Sequence, residues 1–432
     1  MRNNIVHAGA HELQYEIREI VAVGNSLKDM GLDVCWENIG DPVLKGEKIP
    51  SWIKGVIKEA VDIDSSFAYS PTKGLAETRA FLAEICNKRK KVQITEEDII
   101  FFNGIGDAIS KVYNYLRKEA RVIGPSPAYS THSSTEAAHA GEDPVMYKLD
   151  PENGWLPDIN DLRNKIINDK SISGILIINP NNPAGTVYSR EVMEDIVRIA
   201  EEFDLFIVCD EIYLEITYNG KISTPLSDVI NGVCGISMRG VSKELPWPGA
   251  RCGWIEVYNK DNDSMFNTYI ETILNAKMLE VCSTTLPQMV IPTLLSDPRY
   301  KEYHSKRNKQ YEAKSEFAYD VLSEVDGMIV NQADGAFYMT VAFKDGVLND
   351  KQRLEISNDK IRDYIVDNVC DVALDKRFVY YLLGATGICV VPLTGFSCDL
   401  YGFRVTLLET DMDKFKWIFT TIAEKAKVYL NS

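Results

Sequence analysis

The sequence predicts an α/β fold whose mostly parallel sheet is covered by helices on both faces. Short runs rich in Ile and Val alternate with amphipathic segments in the middle third of the chain, and turn residues bound each run. Continuous hydrophobic strands are typical of parallel sheets, because helices bury both of their faces. The predicted strands are residues 122–129, 144–149, 174–180, 206–213 and 235–242.

A helix is predicted between the third and fourth of these strands. Hydrophobic residues recur there at helical spacing, at Val192, Ile196, Ile199, Ala200 and Phe203. Ser189 is placed to cap the helix, and Glu191 puts a negative charge in its first turn. The segment therefore predicts a strand–helix–strand unit.

Charge and cysteine usage exclude several classes of protein. The 432 residues carry 47 Lys plus Arg against 63 Asp plus Glu, a net charge of −16. Nucleic acids and anionic membranes need a basic surface, so neither is expected as a partner.

The nine cysteines form no CxxC pair, and the N-terminal segment has no apolar core of a signal peptide. We therefore expect reduced thiols and a cytoplasmic protein.

Polar residues follow three of the predicted strands. Asn179 begins the segment NPNNPAG, Asp210 begins DEIY, and Ser242 and Lys243 follow the last strand. In open α/β sheets the ligand lies at the carboxyl ends of the strands. The sequence therefore predicts that these three segments meet in one crevice.

The residue types at these positions suit one kind of cofactor chemistry. A buried lysine such as Lys243 has a lowered pKa and can form a Schiff base with an aldehyde. Asp210 can keep a pyridine nitrogen protonated, which makes pyridoxal phosphate an electron sink. Tyr213 and Asn182 can hydrogen-bond the ring oxygen, and Arg251 offers a fork for a phosphate.

These motifs resemble those of the class I and II aminotransferases of PLP fold type I. The resemblance rests on NPNNPAG, on DEIY about thirty residues later, and on SK followed at eight residues by Arg251 and then by GW. It implies pyridoxal 5'-phosphate as the cofactor. It further implies that Lys243 forms the Schiff base and shuttles the proton, and that Asp210, Tyr213 and Asn182 contact the cofactor ring.

The same resemblance assigns the remaining cofactor contacts. In PSPAYSTH, Tyr129 would stack on the ring, and His132 would lie behind it near Asp210. Backbone N–H groups of Ile105 and Gly106, at a helix N-terminus, would meet the phosphate. Many relatives carry a serine three residues before the lysine. This chain has Gly240 there, so phosphate binding would depend more on Ser242 and Arg251.

Substrate contacts and subunit organisation follow from the resemblance as well. Gly40 in NIGDP would lie beside the substrate together with Asn182, and Arg404 in GFRVTLLE would clamp the substrate carboxylate. Tyr69 would reach the cofactor phosphate of the neighbouring subunit, so a homodimer is expected. A large domain with a seven-stranded sheet (residues 46–304) and a small α+β domain (residues 1–45 and 305–432) are implied.

The predicted reaction is ping-pong transfer of an amino group from an L-amino acid to a 2-oxo acid. Glutamate and 2-oxoglutarate are the default pair, with aspartate, alanine or a similar amino acid as the second substrate. A PLP lyase or an enzyme like aminocyclopropane-carboxylate synthase stays open, because KELPWPG begins as in those synthases. A non-catalytic PLP-binding regulator is a further alternative.

No metal site is predicted. His7 and His11 lie four residues apart but lack an intervening glutamate and a third ligand. The segment from Gly104 to Gly106 is not a dinucleotide fingerprint either, because Ile109 stands where the third glycine is needed. A nicotinamide cofactor is therefore not expected.

Overall fold

The computed structural model describes residues 5–13 and 16–432. Within these residues the α-helices are α1 (Glu16–Asp29), α2 (Ser51–Val61), α3 (Ala76–Asn87), α4 (Ile105–Asn114), α5 (Ser130–Ala140), α6 (Ile159–Asn168), α7 (Arg190–Glu202), α8 (Ser264–Met278), α9 (Thr285–Ser296), α10 (Pro298–Ser323), α11 (Asp359–Asn368), α12 (Leu374–Thr386) and α13 (Met412–Leu430). The strands are β1 (Cys35–Trp36), β2 (Ile99–Phe102), β3 (Arg121–Ser126), β4 (Met146–Asp150), β5 (Leu156–Pro157), β6 (Ile172–Ile178), β7 (Phe206–Asp210), β8 (Gly235–Gly240), β9 (Gly253–Tyr258), β10 (Met328–Val330), β11 (Tyr338–Phe343), β12 (Ile388–Cys389), β13 (Val391–Pro392) and β14 (Gly402–Thr406).

The central sheet confirms the predicted α/β class. Its strand order is β2-β9-β8-β7-β6-β3-β4-β5, and the neighbours from β8 to β4 all pair in parallel. It has eight strands rather than the predicted seven. The additional strand β5 has only two residues, which pair antiparallel with β4, and so short a strand leaves no hydrophobic pattern in the sequence.

The register of the parallel strands aligns their carboxyl ends. Ile178 at the end of β6 pairs with Asp210 at the end of β7, and Asp210 pairs with Met238 near the end of β8. All the residues of β7 and β8 except Phe206 are buried, as a sheet covered on both faces requires. The residues that follow these strands therefore emerge at one edge of the sheet.

The predicted strand–helix–strand unit is confirmed. Helix α7 follows Ser189, whose hydroxyl accepts a hydrogen bond from the backbone N–H of Val192 at 3.4 Å. Ile196 and Ala200 are fully buried on the face that covers the sheet. Phe203 lies one residue beyond the last helical residue, where it caps the carboxyl end.

A second, antiparallel sheet has the strand order β10-β11-β14-β13. The short strand β1, from the N-terminal part of the chain, pairs in parallel with β12 near the C-terminus. The domain boundaries at residues 45/46 and 304/305 stay a prediction, and α10 runs without interruption through the second of them. Among the described helices, none combines the length and apolar character that crossing a membrane requires.

Candidate active site

A cavity of about 460 Å³ lies at the carboxyl ends of β6, β7 and β8. Segments that are far apart in the sequence form its wall. The predicted site residues that line it are Gly40, Ile105, Gly106, Tyr129, Asn182, Asp210, Tyr213, Ser242, Lys243, Arg251 and Arg404. The three polar segments that follow the strands therefore meet in one crevice, as the sequence predicts.

Lys243, in the wall of this cavity, is held by a backbone contact. Its Nζ donates a hydrogen bond of 2.6 Å to the carbonyl oxygen of Gly40. Burial of the ammonium group lowers the pKa of Lys243 to about 8, while the Asp41 carboxylate acts in the opposite direction. A lysine with this pKa has a larger neutral, nucleophilic fraction near neutral pH than an exposed lysine.

Asp210, at the end of β7, is fixed by two hydrogen bonds. Its Oδ1 accepts from the backbone N–H of Ile212 at 3.1 Å, and its Oδ2 lies 3.2 Å from His132 Nε2. His132 is fully buried, and its Nδ1 lies 3.1 Å from the hydroxyl of Tyr113. His132 thus lies next to Asp210, at the position predicted from the sequence.

Arg404 is buried in a cage of amide, carbonyl and aromatic groups. Nη1 donates to Asn182 Oδ1 at 3.1 Å, and Nη2 donates to the carbonyl oxygen of Asn38 at 2.6 Å. The guanidinium lies 4.4 Å from the ring centroid of Tyr338 and 4.8 Å from that of Phe396. A guanidinium stacked in this way is held in a single orientation, which suits bidentate recognition of a carboxylate.

Tyr338 links the two sides of the cavity. Tyr213 donates a hydrogen bond of 3.2 Å to the Tyr338 hydroxyl, and the Tyr338 ring covers Arg404. A Cβ atom at Gly40 would lie 1.9 Å from that same hydroxyl, so only glycine fits there. The choice of residue at position 40 therefore depends on a tyrosine almost three hundred residues later in the chain.

The N-terminus of α4 forms the positively polarised end of the cavity. Gly104, with φ 86°, precedes the helix, and no side chain caps it. Arg251 packs against it so closely that a Cβ at Gly104 would lie 2.6 Å from Arg251 Nη2. Helix N–H groups beside a guanidinium make a suitable site for an anion.

Position 240 holds glycine, where many relatives have serine, for a steric reason. A Cβ at this position would lie 2.9 Å from the carbonyl oxygen of Cys252 and 3.1 Å from the Cα of Gly253. Strands β8 and β9 are paired there, with Gly240 opposite Gly253. A serine at position 240 would therefore require the two strands to separate.

Tyr69 is the predicted site residue that does not line this cavity. Its side chain is 84% exposed on the surface of the described chain. Its predicted contact is with a neighbouring subunit, so its role stays a prediction.

The lining of the cavity also includes residues that were not predicted as site residues, among them Arg18, Asn38, Asp41 and Tyr338. Asn38 and Asp41 flank Gly40 in the segment NIGDP, and their position beside Gly40 was the available signal. Arg18 on α1 carries no local signal, because only long-range packing brings it to the site. Tyr338 on β11 belongs to the segment DGAFYM, which resembles a family segment that closes over the site.

The fold and the cavity together define a pyridoxal-phosphate enzyme of fold type I. The family model for aminotransferase class I and II matches residues 37–415. The chain therefore belongs to the class I and II aminotransferases, which use pyridoxal 5'-phosphate.

Relatives of the same family match over the whole chain or much of it. An uncharacterised aminotransferase from Methanocaldococcus jannaschii is 57% identical over 432 residues, which is all of both chains. The glutamate-pyruvate aminotransferase of Escherichia coli K12 is 29% identical over 65% of this chain and 68% of its own length. The solved structure of an alanine aminotransferase from Pyrococcus furiosus covers all of both chains, with a TM-score of 0.82 and 26% identity.

The cavity residues fit this cofactor. The site offers an amine with a lowered pKa for the aldehyde, a buried carboxylate at the neighbouring strand end, and a helix N-terminus beside Arg251 for the phosphate. The Tyr129 side chain lines the same cavity. A flat, anionic aromatic ligand is therefore compatible with every side of it.

We expect the Lys243 amine of the cofactor-free protein to titrate near pH 8, because burial lowers its pKa and the Asp41 carboxylate partly opposes this effect. Asp41→Asn removes the carboxylate that raises the pKa of Lys243, so the midpoint should fall further. Reductive methylation with ¹³C-formaldehyde, followed by NMR titration, measures it. Asp29→Asn, an exposed carboxylate at the end of α1, is the matched control. A midpoint near that of exposed lysines would contradict the burial of this amine.

Proposed function

We propose that this aminotransferase uses glutamate and 2-oxoglutarate as one substrate pair and alanine, aspartate or a similar small amino acid as the other. The observation that carries the proposal is the arrangement of Lys243, Asp210 and Arg404 around one cavity. It offers an amine that can tether the cofactor, a carboxylate for the nitrogen of the cofactor ring and a guanidinium for the carboxylate of the substrate. The glutamate-pyruvate and alanine specificities in the names of the relatives support this choice of substrates.

In the proposed mechanism Lys243 tethers the cofactor and then acts as the base. Its Nζ would take the proton from the Cα of the bound amino acid and deliver it to the carbon of the cofactor that carries the transferred nitrogen, a transfer that the lowered pKa of Lys243 favours. When bound, pyridoxal phosphate supplies the electron-withdrawing ring that makes this proton acidic. Asp210 holds the proton at the ring nitrogen, and Tyr213 and Asn182 orient the ring oxygen.

The remaining residues bind and orient. Backbone N–H groups of Ile105 and Gly106, with Ser242 and Arg251, hold the phosphate, and Tyr129 covers the ring. These assignments rest on their common position in the wall of the cavity.

Arg404 and Arg18 are proposed to bind the two carboxylates of glutamate, Arg404 the α-carboxylate and Arg18 the distal one. Arg404 is held rigidly by Asn182 and Asn38, which suits the α-carboxylate shared by all substrates. Arg18, on α1, lines the same cavity and has an exposed side chain. An exposed guanidinium on a long side chain can meet the distal carboxylate of a dicarboxylic substrate and leave room for a smaller one.

We expect the two arginines to have different kinetic signatures. Arg404→Gln should lower kcat/KM for every amino acid by about a hundredfold, the effect of losing a buried charge-assisted pair. Arg18→Gln should raise KM for glutamate and 2-oxoglutarate by about tenfold and leave alanine and pyruvate unchanged. Steady-state kinetics with both pairs measures this, with exposed Arg198→Gln as the control. Equal losses for all substrates in Arg18→Gln would contradict its assignment.

A screen of amino acids against 2-oxoglutarate and pyruvate tests the proposed reaction. We expect a 2-oxo acid product only when an acceptor is present, in a one-to-one ratio with the new amino acid. The protein should be yellow, borohydride should fix the cofactor on Lys243, and Lys243→Ala should be inactive because it lacks both tether and base. Release of ammonia or a cyclic product without an acceptor would indicate a lyase or a synthase instead. Cofactor binding without turnover would indicate a regulator.

A homodimer with shared sites is proposed from the surface around Tyr69. Phe67 and Tyr69 are exposed next to Leu279 and Val281, which are exposed as well. The two segments are adjacent, since the Thr72 hydroxyl donates to the carbonyl oxygen of Val281 at 2.9 Å. Apolar side chains in such a patch mark an interface, and a second copy of this chain is the proposed occupant.

Mixing a weakened variant with an inactive one tests whether subunits share sites. Tyr69→Phe should have reduced activity, and Lys243→Ala should have none. If Tyr69 serves the neighbouring subunit, each mixed dimer has one complete site, so refolding an equal mixture should restore about one quarter of wild-type activity. A mixture no more active than its separate components would contradict shared sites.

The cytoplasm stays the predicted location of the protein.

A further inference from the structure

A tyrosine lies behind the Asp210–His132 pair and completes a buried chain of three side chains. The Tyr113 hydroxyl lies 3.1 Å from His132 Nδ1, and His132 Nε2 lies 3.2 Å from Asp210 Oδ2. Tyr113 comes from α4, His132 from α5 and Asp210 from β7, so three elements build the chain. Tyr113 is 1% exposed and His132 is fully buried. The mechanism proposed above does not use Tyr113.

The direction of the first hydrogen bond follows from the chemistry of Tyr113. Burial raises the pKa of Tyr113 well above its ordinary value, so the phenol keeps its proton. Among the described residues, His132 Nδ1 is the only hydrogen-bond partner of this hydroxyl. The hydroxyl therefore donates, and Nδ1 must accept through its lone pair. The single proton of the imidazole then sits on Nε2 and points to Asp210.

Other groups near His132 do not set the position of its proton in place of Tyr113. Glu136, one turn further along α5, forms an ion pair with Arg121. Nε and Nη2 of Arg121 donate to the two carboxylate oxygens of Glu136 at 2.6 and 2.9 Å. The Tyr129 ring meets His132 edge-on, with centroids 6.4 Å apart. Asp210 is therefore the one carboxylate in contact with the imidazole among the described residues, and by itself it would favour a cationic ring.

We propose that Tyr113 is a positioning residue that keeps His132 neutral, with its proton on Nε2 directed at Asp210. The proposal deepens the proposed function, because it rests on Asp210 as the partner of the cofactor ring nitrogen. A cationic His132 would neutralise Asp210 and weaken its hold on that proton. A neutral His132 donates one hydrogen bond to Asp210 and leaves its negative charge for the cofactor.

Removing the hydroxyl should release this control. A cavity of about 10 Å³ already borders Tyr113, His132 and Glu136. In Tyr113→Phe the lost hydroxyl adds to this space, so a water molecule can enter and accept a hydrogen bond from a protonated Nδ1. His132 can then gain a second proton beside Asp210.

The test follows the histidine directly by NMR. Full-length enzyme with ¹⁵N-labelled histidine, loaded with pyridoxal phosphate, is titrated from about pH 6 to 8.5, the range in which histidine commonly changes charge. The chain has five histidines, and His132→Gln assigns the signal. Tyr147→Phe is the matched control, since Tyr147 is fully buried and donates to the carbonyl oxygen of Leu176 at 2.9 Å, away from His132.

We expect wild type and Tyr147→Phe to show a neutral His132 with the proton on Nε2 throughout the titration. In Tyr113→Phe the signal should change to that of the cation, and kcat should fall about tenfold on the acid side while KM is unchanged. A cationic His132 in the wild type overturns the proposal, even if Tyr113→Phe fails to fold. An identical signal in wild type and Tyr113→Phe overturns it as well. A changed signal with unchanged kcat supports the control of His132 and instead contradicts the role of Asp210.

Discussion

The hydrogen bond from Lys243 to the carbonyl oxygen of Gly40 is the contact on which the site depends. A buried ammonium group is costly unless a polar partner replaces water, and this carbonyl is that partner. Gly40 comes from the N-terminal part of the chain, whereas Lys243 follows a strand of the central sheet. The contact therefore joins two distant segments at the amine that is proposed to react with the cofactor, and burial of this amine lowers its pKa to about 8.

Tyr338 constrains the same contact through its position beside Gly40. Tyr338 leaves room only for a hydrogen atom at Gly40, and its ring also covers the guanidinium of Arg404. One tyrosine of the antiparallel sheet thus constrains both the approach of the Gly40 backbone to the lysine and the orientation of Arg404, the arginine proposed to bind the substrate carboxylate. The position of β11 beside the cavity is in this way part of the structure of the site.

The sequence predicted those site residues whose positions follow from a strand. Asp210 and Lys243 come at or just after the ends of hydrophobic strands, and parallel pairing in register brings such ends to one edge. Tyr113 and Arg18 were not predicted as site residues. Each lies on a helix, and the hydrophobic pattern of a helix indicates only which residues are buried or exposed. Their neighbours in space are far away in the sequence, so no local pattern records them. The two-residue strand β5 was missed because it is too short to show alternation.

The sequence by itself determined the α/β class, the strand–helix–strand unit and the polar segments that line the cavity, because periodicity and turn residues are local properties of the chain. Only the tertiary structure decided that Gly240 must lack a side chain opposite Gly253, and that His132 lies between Asp210 and Tyr113. These features depend on distances between atoms of different elements. Such distances are fixed when the core packs, so they cannot be read from any one segment.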